Sequence, residues 1–252
     1  MYDLILHNDK HEVSGRFMDV SLEFGPSFTM ATAHLKPGDS IKVEPGAMVS
    51  QSMGLEMKTG MSGKGGGLGG FLKSVAKSVI GGESFFLNTF TAGSGGGWIS
   101  MAPSSPGDIK TLDIEPGSNI FMQGGAFLAS SPNVSYDLKF QGAKSLFSRE
   151  SMFFLRAFSE EGPGQILYSA YGAIKEIDVT PSTPLKVDNG HLVAFTDGVQ
   201  YDVVPSGGLK TSLFGGEALV LQIQGSGKVW IQTRNIEAFA SSIIPFLPER
   251  SN

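Results

Sequence analysis

A short Phe-rich stretch recurs at a nearly constant interval along the chain. The first copy, FFLNTFT at residues 85–91, is followed 68 positions later by FFLRAFS at residues 153–159. A weaker third copy, LVLQIQG at residues 219–225, follows 66 positions after that. A chain that repeats one pattern at one spacing builds one structural unit several times. We therefore predict three internal repeats, at approximately residues 28–108, 109–180 and 181–234.

The rest of the sequence favours β-strands joined by tight turns. Glycine accounts for 34 of the 252 residues and phenylalanine for 18, as in chains of many short strands. Apolar and polar residues alternate at residues 15–23 and 28–35, which predicts two strands, and Lys36-Pro37-Gly38-Asp39 suits a type II turn. The predicted fold class is all-β, with the three repeats forming a pseudo-threefold β-sandwich or barrel in one compact domain.

Two segments depart from the β pattern. Between Gly60 and Gly82, a glycine-rich run leads into a short amphipathic helix. Asn235 can cap a second helix, which Pro245 ends and which packs on the end of the β structure, within a C-terminal helix and tail at residues 235–252. The residues of the inserted helix that are candidates for a membrane or partner contact are Phe71, Leu72, Lys73, Val75, Lys77, Val79 and Ile80.

Three roles fit the inserted helix. Its lysines can meet anionic lipid, its apolar stripe can cover one end of the β structure, or it can contact a neighbouring subunit. Lys73 and Lys77 are its only cationic residues, which is little charge for lipid binding. The covering role is therefore the favoured interpretation.

Composition excludes several classes of function. The net charge of −5 does not suit a protein that neutralises nucleic-acid phosphates, so no nucleic-acid partner is predicted. The chain has no cysteine, which excludes disulfides, zinc–thiolate sites and thiol catalysis. Its N-terminal residues lack the features of a signal peptide, and no apolar run is long enough to span a membrane. We expect a cytoplasmic protein, or one peripheral to a membrane.

The residues predict no catalytic, metal or cofactor site. Gly63-Lys64 is followed by Gly65, where a phosphate-binding P-loop needs Ser or Thr. No serine has recognisable histidine and acid partners. The histidines form no cluster with the spacing of a metal site; they are His7, His11, His34 and His191. We therefore predict no cofactor and no enzyme activity.

Acidic residues recur with the repeats in two sets. The set that precedes the Phe-rich copies consists of Glu83, Glu150 and Glu217. If the repeats surround an axis, these carboxylates can form a ring that holds a cation. The favoured alternative is that they are ordinary residues at strand starts. The second set, which begins Gly-containing turns and can accept hydrogen bonds from them, consists of Glu44, Glu115 and Asp188.

Several motifs, in the same order, resemble those of one family. They are Glu44-Pro45-Gly46, Met57-Lys58-Thr59-Gly60, residues 82–88, and Pro106-Gly107-Asp108-Ile109. Over roughly residues 28–235 the chain is similar to the mitochondrial biogenesis (altered inheritance of mitochondria) family, which in fungi is linked to inner-membrane organisation. The resemblance implies a fold like that of the tryptophan RNA-binding attenuation protein (TRAP-like), with β-sandwich units around a pseudo-threefold axis. It implies no catalytic residue.

The function that these observations favour is that of a non-enzymatic interaction or scaffold protein, which can associate with a membrane through residues 60–82. We also predict a homo-oligomer, because flat-ended β assemblies commonly self-associate. The alternative function is a small-ligand or carbohydrate-binding β module with a site near the repeat axis.

Overall fold

The structure is a computed structural model, and it describes residues 11–14, 18–61, 86–140, 153–205 and 219–248. Within these ranges it contains twenty β-strands, one α-helix and two single-turn 3-10 helices. The all-β fold class predicted from the sequence is confirmed.

The strands comprise an N-terminal pair and three groups of six. The pair is β1 (His11–Ser14) and β2 (Asp19–Glu23). The first group is β3 (Met30–Leu35), β4 (Ser40–Val43), β5 (Met48–Gln51), β6 (Leu55–Met61), β7 (Phe86–Ala92) and β8 (Gly97–Met101). The second is β9 (Ile109–Ile114), β10 (Asn119–Gln123), β11 (Phe127–Ser130), β12 (Val134–Phe140), β13 (Phe153–Ser159) and β14 (Gly164–Ser169). The third is β15 (Ile174–Val179), β16 (Leu185–Asp188), β17 (Leu192–Thr196), β18 (Val199–Pro205), β19 (Leu219–Gly225) and β20 (Gly227–Gln232).

The same antiparallel pairings occur in each group. The fourth strand pairs with the fifth, the fifth with the second, and the sixth with both the first and the third. A register shift also recurs where the third strand meets the sixth, between Met48 and Ser50, Phe127 and Ala129, and Leu192 and Ala194. Such irregularities bend a strand at one place. Residues at matching ladder positions in the three groups can therefore be compared one by one.

Two more pairings join the groups into four sheets. β4 of the first group pairs with β11 of the second, and β10 of the second pairs with β17 of the third. β1 and β2 extend the first group beyond β3. In strand order, sheet 1 is β1-β2-β3-β8-β5 and sheet 2 is β6-β7-β4-β11-β14-β9. Sheet 3 is β12-β13-β10-β17-β20-β15, and sheet 4 is β16-β19-β18.

Three hydrophobic cores lie between successive sheets. Ile99 of sheet 1 and Ile41 of sheet 2 belong to the first core. In the second core, Phe127 of sheet 2 meets the ring of Tyr136 of sheet 3 edge-on, with ring centroids 4.9 Å apart. The third core joins sheets 3 and 4 through residues such as Phe154. Alternating side chains point to opposite faces of a strand, which is why the inner sheets contribute to two cores each.

The turns and the helix begin and end where the sequence predicts. The strands β2 and β3 pair as expected. Gly38 has a φ of +84°, as the third position of a type II turn requires. The Asn235 Oδ1 accepts a hydrogen bond of 2.8 Å from the Glu237 N–H and caps helix α1 (Ile236–Ile243), and a 3-10 turn at Ile244–Phe246 follows. None of the helix residues is buried, however, so the helix adds no side chain to the cores.

The Phe-rich copies form β7, β13 and β19, the fifth strand of each group. The acidic turns do not lie at matching places, since Glu44 follows a second strand whereas Glu115 follows a first strand. By its pairing, the third group also begins at Ile174, ahead of the predicted repeat start at residue 181. The helix predicted at residues 71–80 lies outside the described residues. The pseudo-threefold axis, the TRAP-like arrangement and the single compact domain stay predictions.

Phe127→Ala tests the packing of the second core. The side chain is buried and lies against Tyr136, so its removal should leave a cavity that costs about 3–5 kcal/mol of unfolding free energy. Phe28→Ala, at a side chain that is 72% exposed, is the matched control and should change stability by about 0.5 kcal/mol or less. Urea unfolding of both variants checks the prediction, and equal midpoints would contradict it.

Candidate interaction surface

The third strand of the first group has an environment unlike that of its two counterparts. β11 and β17 are each paired on both sides, whereas β5 forms the edge of sheet 1. Val49 is 57% exposed, while Leu128 and Val193, at the same place in β11 and β17, are 0% and 1% exposed. β5 therefore presents an open, apolar strand edge of a kind that proteins usually protect or pair.

A second strand edge is open at the other end of the stack of sheets. β4 and β10 are the second strands of their groups, and each pairs with the following group. β16 is the second strand of the last group and forms the edge of sheet 4. Within the described ranges, neither β5 nor β16 has a ladder partner on its outer side. Each junction between groups pairs a second strand with a third strand. β16 is the second strand, and β5 the third strand, that has no such partner.

Exposed apolar residues surround the β5 edge. Met48 is 45% exposed, and Met53, just after the strand, is fully exposed. Ser52, which precedes Met53, forms two hydrogen bonds with Trp98 of β8. The Ser52 N–H donates to the Trp98 oxygen, and the Trp98 N–H donates to the Ser52 Oγ. We call Met48, Val49 and Met53 the β5 edge surface.

The C-terminal segment forms a second apolar surface. Large apolar side chains along it are exposed, with Phe246 at 86%. Glu237 is the only charged residue between positions 236 and 248. The segment is attached where Phe239 meets Tyr171, with ring centroids 5.9 Å apart. We call the following residues the C-terminal apolar segment: Ile236, Phe239, Ile243, Ile244, Phe246 and Leu247.

A cavity of about 240 Å³ lies where the second and third groups meet. The Gln232 side chain forms part of its wall, accepting a hydrogen bond from the Tyr171 N–H at 2.9 Å and donating one to the Gly190 oxygen at 2.9 Å. The Gln123 amide donates to the Asn189 oxygen at 3.1 Å. These amide groups hold the loops around the cavity together, which leaves fewer of their donors and acceptors for a ligand.

Two ionisable residues lie at the junction of the first and second groups. Burial raises the pKa of Glu44 to about 7 and lowers the pKa of Lys42. The Lys42 Nζ donates a hydrogen bond of 2.7 Å to the Val134 oxygen, and the Glu44 N–H donates one of 2.9 Å to the Leu128 oxygen. The junction thus combines main-chain pairing with a part-buried side-chain contact.

The structure does not test the sites predicted from the sequence. The residues Glu83, Glu150 and Glu217 lie outside the described residues, as does the inserted helix with Phe71, Leu72, Lys73, Val75, Lys77, Val79 and Ile80.

Two histidines, His34 and His191, have side chains that the structure describes. His34 is exposed, and His191 contacts the Gln232 oxygen through its Nδ1 at 2.7 Å. Within the described ranges, no group of three acidic or histidine side chains is arranged to hold a metal ion. No helix in these ranges is long and apolar enough to cross a membrane.

Glu44→Gln should change how stability depends on pH. The folded-state pKa of Glu44, about 7, lies above the ordinary value of 4.5, so the folded protein binds this proton more tightly than the unfolded chain. The Glu44 contribution to stability is therefore greatest below pH 4.5, falls as the pH rises to about 7, and is constant above that value.

Urea unfolding from pH 4 to 8 checks this prediction. The stability difference between Glu44→Gln and the wild type should shift in favour of the variant as the pH rises. Glu56→Gln, at an exposed side chain of β6, is the control. Parallel pH curves for the wild type and Glu44→Gln would show that burial of Glu44 does not affect its proton affinity.

Comparison with known proteins identifies relatives over almost the whole chain. An uncharacterised protein of Streptococcus pyogenes serotype M6 is 30% identical over 253 residues, which is 100% of both chains. A crystal structure of a protein from Streptococcus pyogenes matches with a TM-score of 0.72 and 26% identity, covering 91% of this chain and 100% of that one. Residues 22–234 match the mitochondrial biogenesis AIM24 family. The chain therefore belongs to the mitochondrial biogenesis AIM24 family.

Proposed function

We propose that this protein is a non-enzymatic scaffold that works at a membrane surface and contacts lipid through the C-terminal apolar segment. The single observation that carries the proposal is the exposure of that segment, which places six large apolar side chains in solvent within residues 236–247. Contiguous exposed apolar surface of this kind marks a site of protein or membrane contact.

The energetic gain is of the size that peripheral binding needs. Complete burial of one large apolar side chain contributes about 1.5–3 kcal/mol. The six side chains of the segment range from 38% to 86% exposed. Insertion into lipid would therefore contribute, for each of them, a fraction of the free energy of complete burial. Reversible attachment by one acyl chain has a comparable magnitude, with a binding constant of about 10⁴ M⁻¹.

The chemistry of the segment favours lipid over a protein groove. Phe246 and Leu247 are the members farthest along the chain and are among the most exposed, while Glu237 lies at the helix N-terminus. Within residues 236–248, the charge therefore lies at the start of the segment and the most exposed apolar group lies towards its end. Because positions 236–248 contain no cationic residue, binding should depend on apolar insertion rather than on attraction to anionic lipid. The family's description as mitochondrial biogenesis proteins is consistent with a role at a membrane.

Flotation with neutral phosphatidylcholine vesicles tests the proposal. The wild type should float with the vesicles, and the double variant Phe246→Ser/Leu247→Ser should bind at least about tenfold more weakly, since each tenfold is about 1.4 kcal/mol. Raising the salt concentration should have little effect, because the segment at positions 236–248 contains no cationic residue. The control Phe24→Ser/Phe28→Ser removes two exposed phenylalanines elsewhere and should float normally.

Two results would refute the lipid contact. One is a wild type that stays in the aqueous fraction, and the other is a Phe246→Ser/Leu247→Ser variant that floats as well as the wild type. Because both substituted side chains are exposed, the variant should keep the far-ultraviolet circular dichroism spectrum of the wild type. That spectrum separates a lost lipid contact from lost folding.

A second candidate function, the binding of a small ligand, rests on the cavity beside Gln232. Its volume of about 240 Å³ is below the range of about 300–1,000 Å³ typical of ligand sites. The hydrogen bonds of Gln123 and Gln232 to neighbouring loops also favour a structural role. Native mass spectrometry distinguishes the two functions, since a persistent additional mass on each subunit would favour ligand binding.

A further inference from the structure

We infer that β5 of one copy of this protein pairs antiparallel with β16 of a second copy, in the same register as the junctions inside the chain. The inference rests on the strand edges and does not depend on the proposed lipid contact. Two junctions of this type, β4 with β11 and β10 with β17, already exist in each chain. The open strands are the remaining members of the same two strand classes.

The two existing junctions define the register of the third. Val43 of β4 pairs with Ala129, and Met122 of β10 pairs with Ala194. On the β16 side, Val187 lies at the place of Val43 and Met122, since all three face the third residue of the fifth strand. On the β5 side, Ser50 matches Ala129 and Ala194, each being the first residue after the register shift. Val187 of one copy should therefore lie opposite Ser50 of the other, and Lys186 opposite Gln51.

Lys186 is compatible with this pairing. A lysine on an edge strand usually keeps other strands away. At the matching place in β4, however, Lys42 lies within a formed junction and donates to the Val134 oxygen at 2.7 Å. Val134 begins β12 as Leu55 begins β6. Lys186 of one copy can therefore donate to the Leu55 oxygen of the other.

Main-chain and side-chain groups of β5 can also form hydrogen bonds with β16 of a second copy. The Glu44 N–H donates to the Leu128 oxygen, so the corresponding bond between copies joins the Asp188 N–H to the Val49 oxygen. The Gln51 Oε1 is buried and has no hydrogen-bond partner among the described residues, and the register places Lys186 opposite Gln51. Pairing would also cover Val49, as it covers Leu128 and Val193 in the existing junctions.

Closure within one chain is disfavoured by the stacking of the sheets. β5 belongs to sheet 1 and β16 to sheet 4, and sheets 2 and 3 lie between them in the succession of cores. Within the described ranges, no hydrogen bond joins the first group to the third. A contact between unlike edges is head-to-tail, so it produces a ring or an open row of copies.

Disulfide trapping tests the pairing and its register, because the chain has no cysteine of its own. Gln51→Cys and Lys186→Cys are made as separate proteins, one carrying a mass tag, and are mixed under mild oxidation. We expect a covalent heterodimer. Lys36→Cys mixed with Lys186→Cys is the control, since the exposed Lys36 follows β3, two strands away from β5 in sheet 1, and should cross-link at least about tenfold less, which corresponds to about 1.4 kcal/mol.

Two trapping outcomes would overturn the inference. The first is equal cross-linking of the Gln51 and Lys36 variants with Lys186→Cys, or none with either. The second comes from a chain that carries both Gln51→Cys and Lys186→Cys. If it forms only an internal disulfide and stays monomeric in mass, the edges close within one chain.

Val49→Lys provides a separate test by analytical ultracentrifugation. The wild type should increase in mass with concentration, and the variant should associate at least about tenfold more weakly because a buried, unpaired charge is costly. Phe28→Lys, in a turn outside the strands, is the matched control and should associate like the wild type. A wild type that is monomeric at all concentrations would refute the inference. Val49→Lys should still float with the vesicles, which separates this test from the test of the lipid contact.

Discussion

The architecture depends on one type of contact, the ladder between the second strand of one group and the third strand of the next. Main-chain N–H and C=O groups that leave water must be paired, and these ladders pair them where two groups meet. β14 shows the consequence, since all six of its residues are buried. It lies inside sheet 2, which has a core on each face. Without the β4–β11 ladder, the edge beside this strand would be exposed.

One ladder position shows how the environment differs among the three groups. Gln165 is buried in the middle group, where its amide donates to the Asp113 carboxylate at 3.0 Å and its N–H donates to the Ser131 Oγ at 3.0 Å. These bonds pair two donors of a buried polar residue, as burial requires, while the Gln165 Oε1 accepts no hydrogen bond among the described residues. In the outer groups the same position is taken by Trp98 and by Lys228, which are less buried. Lys228 forms an ion pair with Glu176. Each outer group has a neighbouring group on one side only, whereas the middle group has a neighbouring group on both sides.

The sequence predicts local structure well, because local structure depends on neighbouring residues. Gly38 and Asn235 occupy the turn and cap positions that their chemistry favours. It does not reveal which strand edge is left open, since Val49 lies in an apolar stretch much like that of Leu128 but is exposed. That difference arises from how many groups the chain contains, a property of the whole assembly. The exposure of α1 is not predictable for a related reason, because a cap residue and a proline indicate where a helix begins and ends and not what covers it.

The position of the C-terminal apolar segment links the two proposals. Asn235, which caps its helix, lies so close to Gly190 that a Cβ there would fall 2.0 Å from the Asn235 Nδ2. Gly190 lies in the turn that follows β16. The segment therefore starts beside one of the open edges, and a head-to-tail row of copies would present one segment at every junction. Linked contacts strengthen binding without any new interaction, so assembly would turn a weak contact of each copy with lipid into firm attachment of the row.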